Sequence, residues 1–200
     1  MENNLILALD TTADSISVAL VQNQNVIAHQ YRKMDRGQGE ALIPMIQEVF
    51  KKAGHNFKDI NQVAVSVGPG SFTGVRIGLA TARGIGLALD IPVSGVTSFE
   101  AAAWGTTGKI MVILDTKRDD FFTQMFQDGK AVEDPVIRSE EDIQKLNPPA
   151  LIGSGVHCLT KTNIPMIKLN FEPAMAVGLC SLKAKRAPEP LYLREADVSI

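Results

Sequence analysis

The spacing of apolar residues changes several times along the chain, and each change predicts a new element. Leu5–Leu9 is a short continuous apolar run that ends at Asp10. Ser15–Val21 then alternates between apolar and polar residues, as a half-buried strand does. Asn23-Gln24-Asn25 is a typical turn sequence and leads into a third strand. The start of the chain is therefore predicted to form a three-stranded β-meander.

The spacing becomes helical over Glu40–Ala53. Pro44 falls near the first turn, where its missing backbone N–H breaks no helical hydrogen bond, and Gly54 ends the run. The apolar positions are Leu42, Ile43, Met45, Ile46, Val49, Phe50 and Ala53. They cover more than the single stripe that packing on one sheet requires. The extra width indicates a second contact, either with another chain or with a neighbouring helix of the same subunit.

A buried strand, a glycine loop and a second long helix follow. Val63–Val67 is the strand, and Gly68-Pro69-Gly70-Ser71 is a tight loop that is predicted to hold two residues with positive φ. The helix runs over Gly74–Leu89, is capped by Ser71 or Thr73, and stops before a proline. This stretch reads as a strand, a turn and a helix in direct succession.

Small residues form a stripe along the second helix. Gly78, Ala82 and Gly86 recur every four residues, although each glycine in a helix costs about 1 kcal/mol relative to alanine. The stripe therefore indicates close approach by another helix. After it, a short strand is predicted from Val93 and a small helix over Ser98–Trp104.

The chain contains an internal repeat. Leu9–Val26 aligns without gaps to Leu114–Ala131, so that Asp10 matches Asp115; in the same register Asp14 matches Asp119 and Gln22 matches Gln127. Each copy is followed by a helical stretch and by a strand that ends in glycines, which are Gly68-Pro69-Gly70 and Gly153-Ser154-Gly155. Two β-meanders of similar composition also align by chance, but the matching turns and glycine loops favour a duplicated β-β-β-α-β-α unit.

The duplication predicts the fold class and the domains. Two such units form the actin-like, ribonuclease-H-like fold of sugar kinases and chaperone ATPases, an α/β class with mixed sheets flanked by helices. The predicted lobes are residues 1–104 and residues 105–200. The second lobe is shortened, because it has room for one long helix before the Pro188–Arg194 tail.

Composition narrows the functional classes. The chain has 20 Lys and Arg residues against 22 Asp and Glu residues, a net charge of −2. It therefore lacks the excess of positive charge that nucleic-acid binding usually needs. The two cysteines, Cys158 and Cys180, are expected to be free thiols in a reducing compartment. Met1-Glu2-Asn3-Asn4 lacks the basic start of a signal peptide. A cytoplasmic protein without a membrane span is predicted.

Candidate chemistry centres on the turn after the first strand. In actin-like ATPases this turn approaches phosphates, which needs glycines and N–H donors, whereas Asp10–Asp14 has no glycine and two carboxylates. Tight ATP binding is therefore expected to be impaired, although Asp10 could still hold a metal ion through water. The glycine loop matches neither a dinucleotide fingerprint nor a Walker A loop, and a structural turn is favoured over anion binding. The residues of this vestigial nucleotide site are Asp10, Thr11, Gly68, Gly70 and Ser71.

No catalytic residues and no metal ligands are predicted. His29, His55 and His157 are isolated in sequence and form no zinc-binding pair. Ser71 has no Gly-x-Ser-x-Gly pattern around it and no evident base. The sequence thus favours a non-catalytic protein.

Three segments together resemble the TsaB (YeaZ) family. They are Ile6–Thr12 (ILALDTT), Gly39–Pro44 (GEALIP) and the long block Val67–Gly84 (VGPGSFTGVRIGLATARG). The resemblance continues through Ile91-Pro92-Val93 and Val96–Phe99, fades in the second lobe, and returns at Pro190–Arg194 (PLYLR). One departure is Gln38, where many relatives have histidine just before the first helix.

The resemblance implies a role in the bacterial machinery that makes threonylcarbamoyladenosine at position 37 of tRNA. It implies a non-catalytic scaffold that binds TsaD, the metal-dependent transferase, together with the ATPase TsaE, so that ATP and metal belong to the partners and tRNA is reached through the complex. Peptidase activity is not implied, and a homodimer through the same helices is the state expected without TsaD. The interface residues expected on the two helices are Leu42, Ile43, Met45, Ile46, Val49, Phe50, Ile77, Gly78, Thr81, Ala82 and Ile85.

A second hypothesis is a small actin-like ATPase or phosphotransferase. It would use Asp10, Asp115 and the loop at Gly68. ATP turnover that is abolished by Asp10→Asn would distinguish it from a scaffold.

Overall fold

A computed structural model describes residues 4–183 and 186–194 of the chain. Residues 1–3, 184–185 and 195–200 lie outside the described residues, and with them most of the N-terminal segment on which the signal-peptide prediction rests. In the described parts of the chain, no helix has both the length and the apolar character needed to cross a membrane.

Up to the small helix at Ser98, the elements follow the order that the apolar spacing predicts. The strands are β1 (Leu5–Asp10), β2 (Ser15–Gln22), β3 (Asn25–Lys33), β4 (Gln62–Ser66), β5 (Val93–Val96), β6 (Lys109–Asp115), β7 (Asp120–Gln127), β8 (Lys130–Ala131), β9 (Val136–Ser139) and β10 (Leu151–Ile152). The helices are α1 (Gln38–Ala53), α2 (Phe72–Leu89), α3 (Ser98–Ala103), α4 (Glu140–Leu146) and α5 (Pro173–Ser181), with 3-10 helices at Phe57–Asp59 and Ser154–Cys158.

The chain folds into two compact units. The first comprises Met1–Ala101 with Phe171–Leu191, and the second comprises Ala102–Asn170 with Tyr192–Ile200. The predicted boundary after residue 104 falls close to this division. The predicted second lobe differs from the structure in residues 171–191, which belong to the first unit because α5 packs on the first sheet.

The first unit is built on a mixed five-stranded sheet with the order β3-β2-β1-β4-β5. The three strands of the predicted meander pair antiparallel, whereas β4 and β5 continue the sheet in parallel with β1. Both faces of β1 are covered, which is why its sequence is apolar at every position before Asp10.

Helices α1 and α2 pack on one face of this sheet, where their apolar residues form a single core with Leu5, Leu7 and Leu9 of β1. α5 packs on strands of the same sheet and is almost wholly buried. Its Gly178 lies against β2, since a Cβ there would stand 2.5 Å from Val21 Cγ2. The backbone N–H of Ala174 at its start donates to Ser17 Oγ.

The second unit repeats the first in a shortened form. Its sheet has the order β10-β6-β7-β8, and β9 also pairs with β7. β6, β7, α4 and β10 follow one another as β1, β2, α1 and β4 do. After β10 the chain forms the five-residue 3-10 helix Ser154–Cys158, whereas the first unit has the 18-residue α2 after β4. The predicted duplication and the predicted shortening are thus both present.

The ladder registers of the two meanders differ by one residue. Asp10 lies opposite Ser17, on the face that α5 covers. Asp115 lies opposite Phe121, which packs in a cluster with Ile143 of α4. The gapless sequence alignment would instead place Phe122 opposite Asp115, because it matches Phe122 to Ser17. Residues directly opposite each other have their side chains on the same face of a sheet. The side chains of the two aspartates therefore lie on non-equivalent faces of their two sheets.

Candidate functional site

The glycine loop and the start of α2 rest directly on the turn that follows β1. A Cβ on Gly70 would stand 2.3 Å from the carbonyl oxygen of Thr12, and a Cβ on Gly74 would stand 1.9 Å from that of Thr11. The backbone N–H of Ser71 donates to the Thr12 carbonyl at 2.7 Å, and the Thr11 hydroxyl donates to the Gly74 carbonyl at 2.6 Å. The turn therefore occupies the concave side of the loop.

The loop glycines serve two different purposes. Gly68 has φ 94° and so takes the left-handed conformation that favours glycine, as predicted. Gly70 does not have a positive φ, so the prediction of a second positive-φ residue in this loop was wrong. Glycine is needed at this position because Thr12 approaches too closely for any side chain. Ser71 caps α2, since its Oγ accepts a hydrogen bond from the Gly74 N–H.

Asp10 is enclosed by hydroxyl groups. Its Oδ1 accepts hydrogen bonds from the Thr12 backbone N–H at 2.9 Å and from the Thr12 hydroxyl at 3.0 Å. The Ser98 hydroxyl lies 3.3 Å from that of Thr12 and 3.2 Å from that of Ser66. Burial raises the pKa of the Asp10 carboxyl, and the hydrogen bonds from Thr12 and Ser66 oppose that rise without cancelling it. The side chain thus sits in a closed polar network.

The corresponding turn of the second unit has the same local geometry. Asp115 Oδ1 accepts the backbone N–H of Lys117 at 2.7 Å, as Asp10 accepts that of Thr12. Burial by itself would raise the pKa of Asp115, but the hydrogen bonds and the positive charge of Lys117 lower it. The Ser154 hydroxyl accepts the Asp115 N–H at 3.2 Å. The predicted match between the two Asp-Thr turns is therefore found in the structure.

The predicted nucleotide-site residues of the first unit come together at the ends of β1 and β4. They bond mainly to one another and to α2, as the distances above show. Among residues 4–183 and 186–194, no three His, Cys, Asp or Glu side chains are grouped in a way that could hold a metal ion.

Most of the predicted interface residues lie inside this chain. Leu42, Met45, Ile46, Val49 and Phe50 are buried in the core of the first unit, and Gly78 and Ala82 are buried where α2 meets the sheet. The wide apolar surface of α1 is therefore buried against its own sheet and against Phe57, whose ring stacks on that of Phe50 with the centroids 4.4 Å apart. Those seven residues form no free surface for a partner. They pack mainly on the sheet and not on a neighbouring helix, so neither the predicted helix–helix contact of α1 nor that of the small-residue stripe on α2 is the main contact.

The remaining predicted residues lie at the surface. Ile43 on α1 is 45% exposed, and Ile77, Thr81 and Ile85 on α2 are half-buried. Residue 39 of α1 approaches α2, because a Cβ on Gly39 would stand 3.9 Å from Ile77 Cδ1. Ile43 lies one helical turn further along the same edge of α1.

Around this edge, α2 presents a sector without charge. The sector spans about 120° of the helix, at roughly 100° per residue. It contains Leu87, which is 87% exposed and which the sequence interpretation missed, although its place opposite the buried glycines could have revealed it. We call the whole surface the α1–α2 strip: Ile43, Ile77, Ala80, Thr81, Gly84, Leu87 and Ala88.

The mixed sheets and the repeated turns define an actin-like, ribonuclease-H-like α/β protein. YeaZ from Pseudomonas aeruginosa has the same fold, with a TM-score of 0.73 at 21% identity over 95% of this chain and 100% of that chain. A polyphosphate/ATP-glucomannokinase from Arthrobacter gives a TM-score of 0.51 at 10% identity over 90% of this chain and 98% of its own. At these identities the likeness concerns the fold alone.

Sequence comparison gives the family. Residues 25–172 match the family model described as "TsaD: tRNA N6-adenosine threonylcarbamoyltransferase". TsaB of Escherichia coli is 34% identical over 127 residues, which cover 61% of this chain and 54% of that protein. An uncharacterised protein of Mycobacterium tuberculosis is 30% identical over 196 residues, which cover 96% and 92%. The chain therefore belongs to the TsaB (YeaZ) family, as its motifs predicted.

Proposed function

We propose that this chain is a non-catalytic subunit in the biosynthesis of tRNA threonylcarbamoyladenosine. The relatives from Escherichia coli and Bacillus subtilis are named tRNA threonylcarbamoyladenosine biosynthesis protein TsaB, which supports a role in this biosynthesis. In the proposed complex the chain docks a TsaD-like transferase, and a TsaE-like ATPase joins that pair. ATP, the metal ion and direct contact with tRNA belong to those partners.

The α1–α2 strip is the observation that carries the docking proposal. Its residues are exposed or half-buried, and none of them is charged. Depletion of charge and exposed aliphatic side chains are typical of the centre of a protein interface. The strip lies on two helices whose inner faces pack on the core of the first unit. A partner helix pair could bury Ile43 and Leu87 together.

A scaffold role rather than a catalytic one is supported by the turn after β1. Phosphate binding needs free N–H donors, but the N–H groups of Ser71 and Gly74 donate to Thr12 and Ser71. Asp10 is buried and hydrogen-bonded within the chain. The first unit thus uses this region to hold α2 in place.

The test is complex formation by size-exclusion chromatography with light scattering, using this chain and a TsaD-like protein from the same organism. Leu87→Glu adds a charge to the strip, and Leu146→Glu is the matched control because Leu146 is also an exposed helical leucine, 56% exposed on α4. We expect wild type and Leu146→Glu to form the mixed complex and Leu87→Glu to lose it.

Two results would refute the docking proposal. One is no complex with folded wild-type protein, and the other is equal binding by both variants. In the first case the ATPase hypothesis becomes testable directly, since ATP turnover that is lost in Asp10→Asn would support it.

A further inference from the structure

The segment Arg186–Leu191, which we call the C-terminal strap, is hydrogen-bonded to the backbone of β5 and of Val67, the residue that follows β4. The Gly95 N–H donates to the Arg186 carbonyl at 2.9 Å in an antiparallel bridge, and the Leu191 N–H donates to the Val67 carbonyl at 2.8 Å. A Cβ on Gly95 would stand 2.6 Å from the Ala187 carbonyl oxygen. Glycine at this position lets the strap lie flat on the sheet edge.

The strap also reaches α2 at two places. The guanidinium of Arg83, in the middle of the helix, donates to the Pro188 carbonyl. Leu191 packs on the same apolar core as Val75 in the first turn of α2. Gly68 lies between them, since a Cβ there would stand 3.1 Å from the Leu191 carbonyl oxygen and 3.2 Å from Val75 Cγ2. The strap therefore braces both the start and the middle of the helix.

α2 needs such a brace more than α1 does. The buried residues of α1 are five large apolar side chains, whereas those of α2 are Gly74, Val75, Gly78, Leu79, Ala82 and Gly86. Only Val75 and Leu79 among these are larger than a methyl group, and the other large side chains that α2 packs on the core, Ile77, Ile85 and Leu89, are only half-buried. Burial of apolar area is the main interaction that holds a helix on a sheet. α2 therefore depends more than α1 on close backbone packing and on hydrogen bonds.

The side-chain contacts that hold the described part of the strap lie near the surface. Leu191 is only half-buried, and the ion pair of Arg186 with Glu100, at 3.6 Å, joins two partly exposed groups. Segments held in this way open locally far more often than the whole protein unfolds. Local opening of the strap is therefore expected to be more frequent than unfolding of the first unit.

We propose that the C-terminal strap positions α2, and with it the α1–α2 strip, for docking of the partner. Arg83 and Leu191 are positioning residues, because they act through α2 and need not touch the partner. Opening of the strap lowers the fraction of chains whose α2 is correctly placed, and the apparent affinity falls by the same factor. This inference rests on the proposed docking function. It also gives a physical role to Leu191 of the PLYLR motif.

The first arm of the test uses the chain alone. Amide hydrogen exchange is measured by mass spectrometry in the wild type, Arg83→Gln, Leu191→Ala and the control Arg76→Gln. Arg76 lies two turns earlier on the same side of α2 and stacks on Phe72, at 3.6 Å from its ring centroid, rather than on the strap. We expect threefold or faster exchange in α2 for the two strap variants, unchanged exchange in α1, and wild-type exchange in the control.

The second arm measures the dissociation constant with the TsaD-like partner by titration. We expect the two strap variants to bind more weakly, by the factor by which each lowers the fraction of chains with α2 correctly placed, and the control to bind as wild type. Unchanged α2 exchange in both strap variants would overturn the inference, as would faster exchange with unchanged affinity. Absence of binding by the wild type would refute the docking function itself, and the exchange arm would still report whether the strap holds α2.

Discussion

Thr11 and Gly74 are locked together at the junction between the first turn and α2. The Thr11 hydroxyl donates to the Gly74 carbonyl at 2.6 Å. A Cβ on residue 74 would stand only 1.9 Å from the Thr11 carbonyl oxygen. The two contacts leave no room for a side chain and no room for a ligand between the turn and the helix. This junction therefore packs the first turn directly against the start of α2.

The first prediction concerns the two glycines at positions 74 and 84 of α2. Gly74→Ala should destabilise the protein by about 3 kcal/mol or more, because its methyl group would meet backbone rather than a movable side chain. Gly84→Ala should stabilise it by up to about 1 kcal/mol, because nothing lies within 4 Å of the new methyl group and alanine favours a helix. Urea unfolding of both variants checks this. Equal effects of the two substitutions would contradict the observed packing.

The second prediction separates the core of α1 from its surface. Ile46→Ala should lower the free energy of unfolding by about 2–5 kcal/mol, since Ile46 is fully buried. Ile43→Ala should change it by less than about 1 kcal/mol, because Ile43 is 45% exposed. Chemical denaturation monitored by circular dichroism measures both. A large effect at Ile43 with a small one at Ile46 would mean that α1 faces the other way.

The third prediction is a pH dependence that arises from Asp10. Burial raises its pKa above the ordinary value of 3.8, so the folded chain keeps the proton at pH values where the unfolded chain has lost it. The stability that this group contributes is complete below about pH 3.8 and is lost as the pH rises through the raised pKa. Asp10→Asn should therefore gain stability relative to wild type across that window, by at most about 1.4 kcal/mol per pH unit.

Asp128 provides the control for this effect. Its pKa is lowered by hydrogen bonds from Gln127 and from the Gly108 N–H, so its contribution is lost as the pH falls. Asp128→Asn should consequently show no gain with rising pH. Urea midpoints between about pH 4 and about pH 8 measure both variants. A flat difference between wild type and Asp10→Asn would show that Asp10 ionises freely in the folded chain.

The fourth prediction concerns the two thiols. Cys180 is buried, and burial together with Glu100 raises its pKa to about 12. Cys158 is exposed, and its pKa is raised by partial burial and by the charge of Asp115. Iodoacetamide should therefore modify Cys158 slowly and Cys180 only after unfolding, because the thiolate is the reactive form.

Asp115→Asn should accelerate the modification of Cys158 severalfold, since it removes the negative charge beside the thiol. Asp142→Asn on α4 is the control and should leave the rate unchanged. Mass spectrometry of timed reactions measures the rates. Modification of Cys180 before Cys158 in the native protein would contradict the burial of α5.

Local features of this protein were predicted well. The meander, the helix that ends at Gly54, the Ser71 cap and the strand before the glycine loop are all present. Each is encoded by neighbouring residues, through apolar period, glycine and proline positions, or a capping side chain. The duplication was visible for the same reason, because Asp10 and Asp115 open the same kind of turn.

What the sequence did not settle concerns contacts between distant residues. α1 carries a broad apolar surface, and the sequence left open whether its second side met a partner or this chain. The answer depended on Phe57 and on how α1 packs on β2 and β3. Residues 171–191 were placed with the second lobe because they follow it in sequence. Their apolar, small-residue helix fits the face of β1 and β2 near Val21, which no local pattern indicates.

The sequence by itself determined the family, the order of strands and helices, and the turn chemistry at Asp10 and Asp115. The tertiary structure alone decided which isoleucines of α1 are buried, which strip remains outside, and which sheet faces the two aspartates use. The physical reason is that the spacing of apolar residues, every second residue in a strand and every third or fourth in a helix, identifies each element locally. The register between two strands is not local, and a shift of one residue turns a side chain to the other face of the sheet. Register and burial are set by contacts between segments such as β5 and the C-terminal strap, which lie about ninety residues apart in the chain.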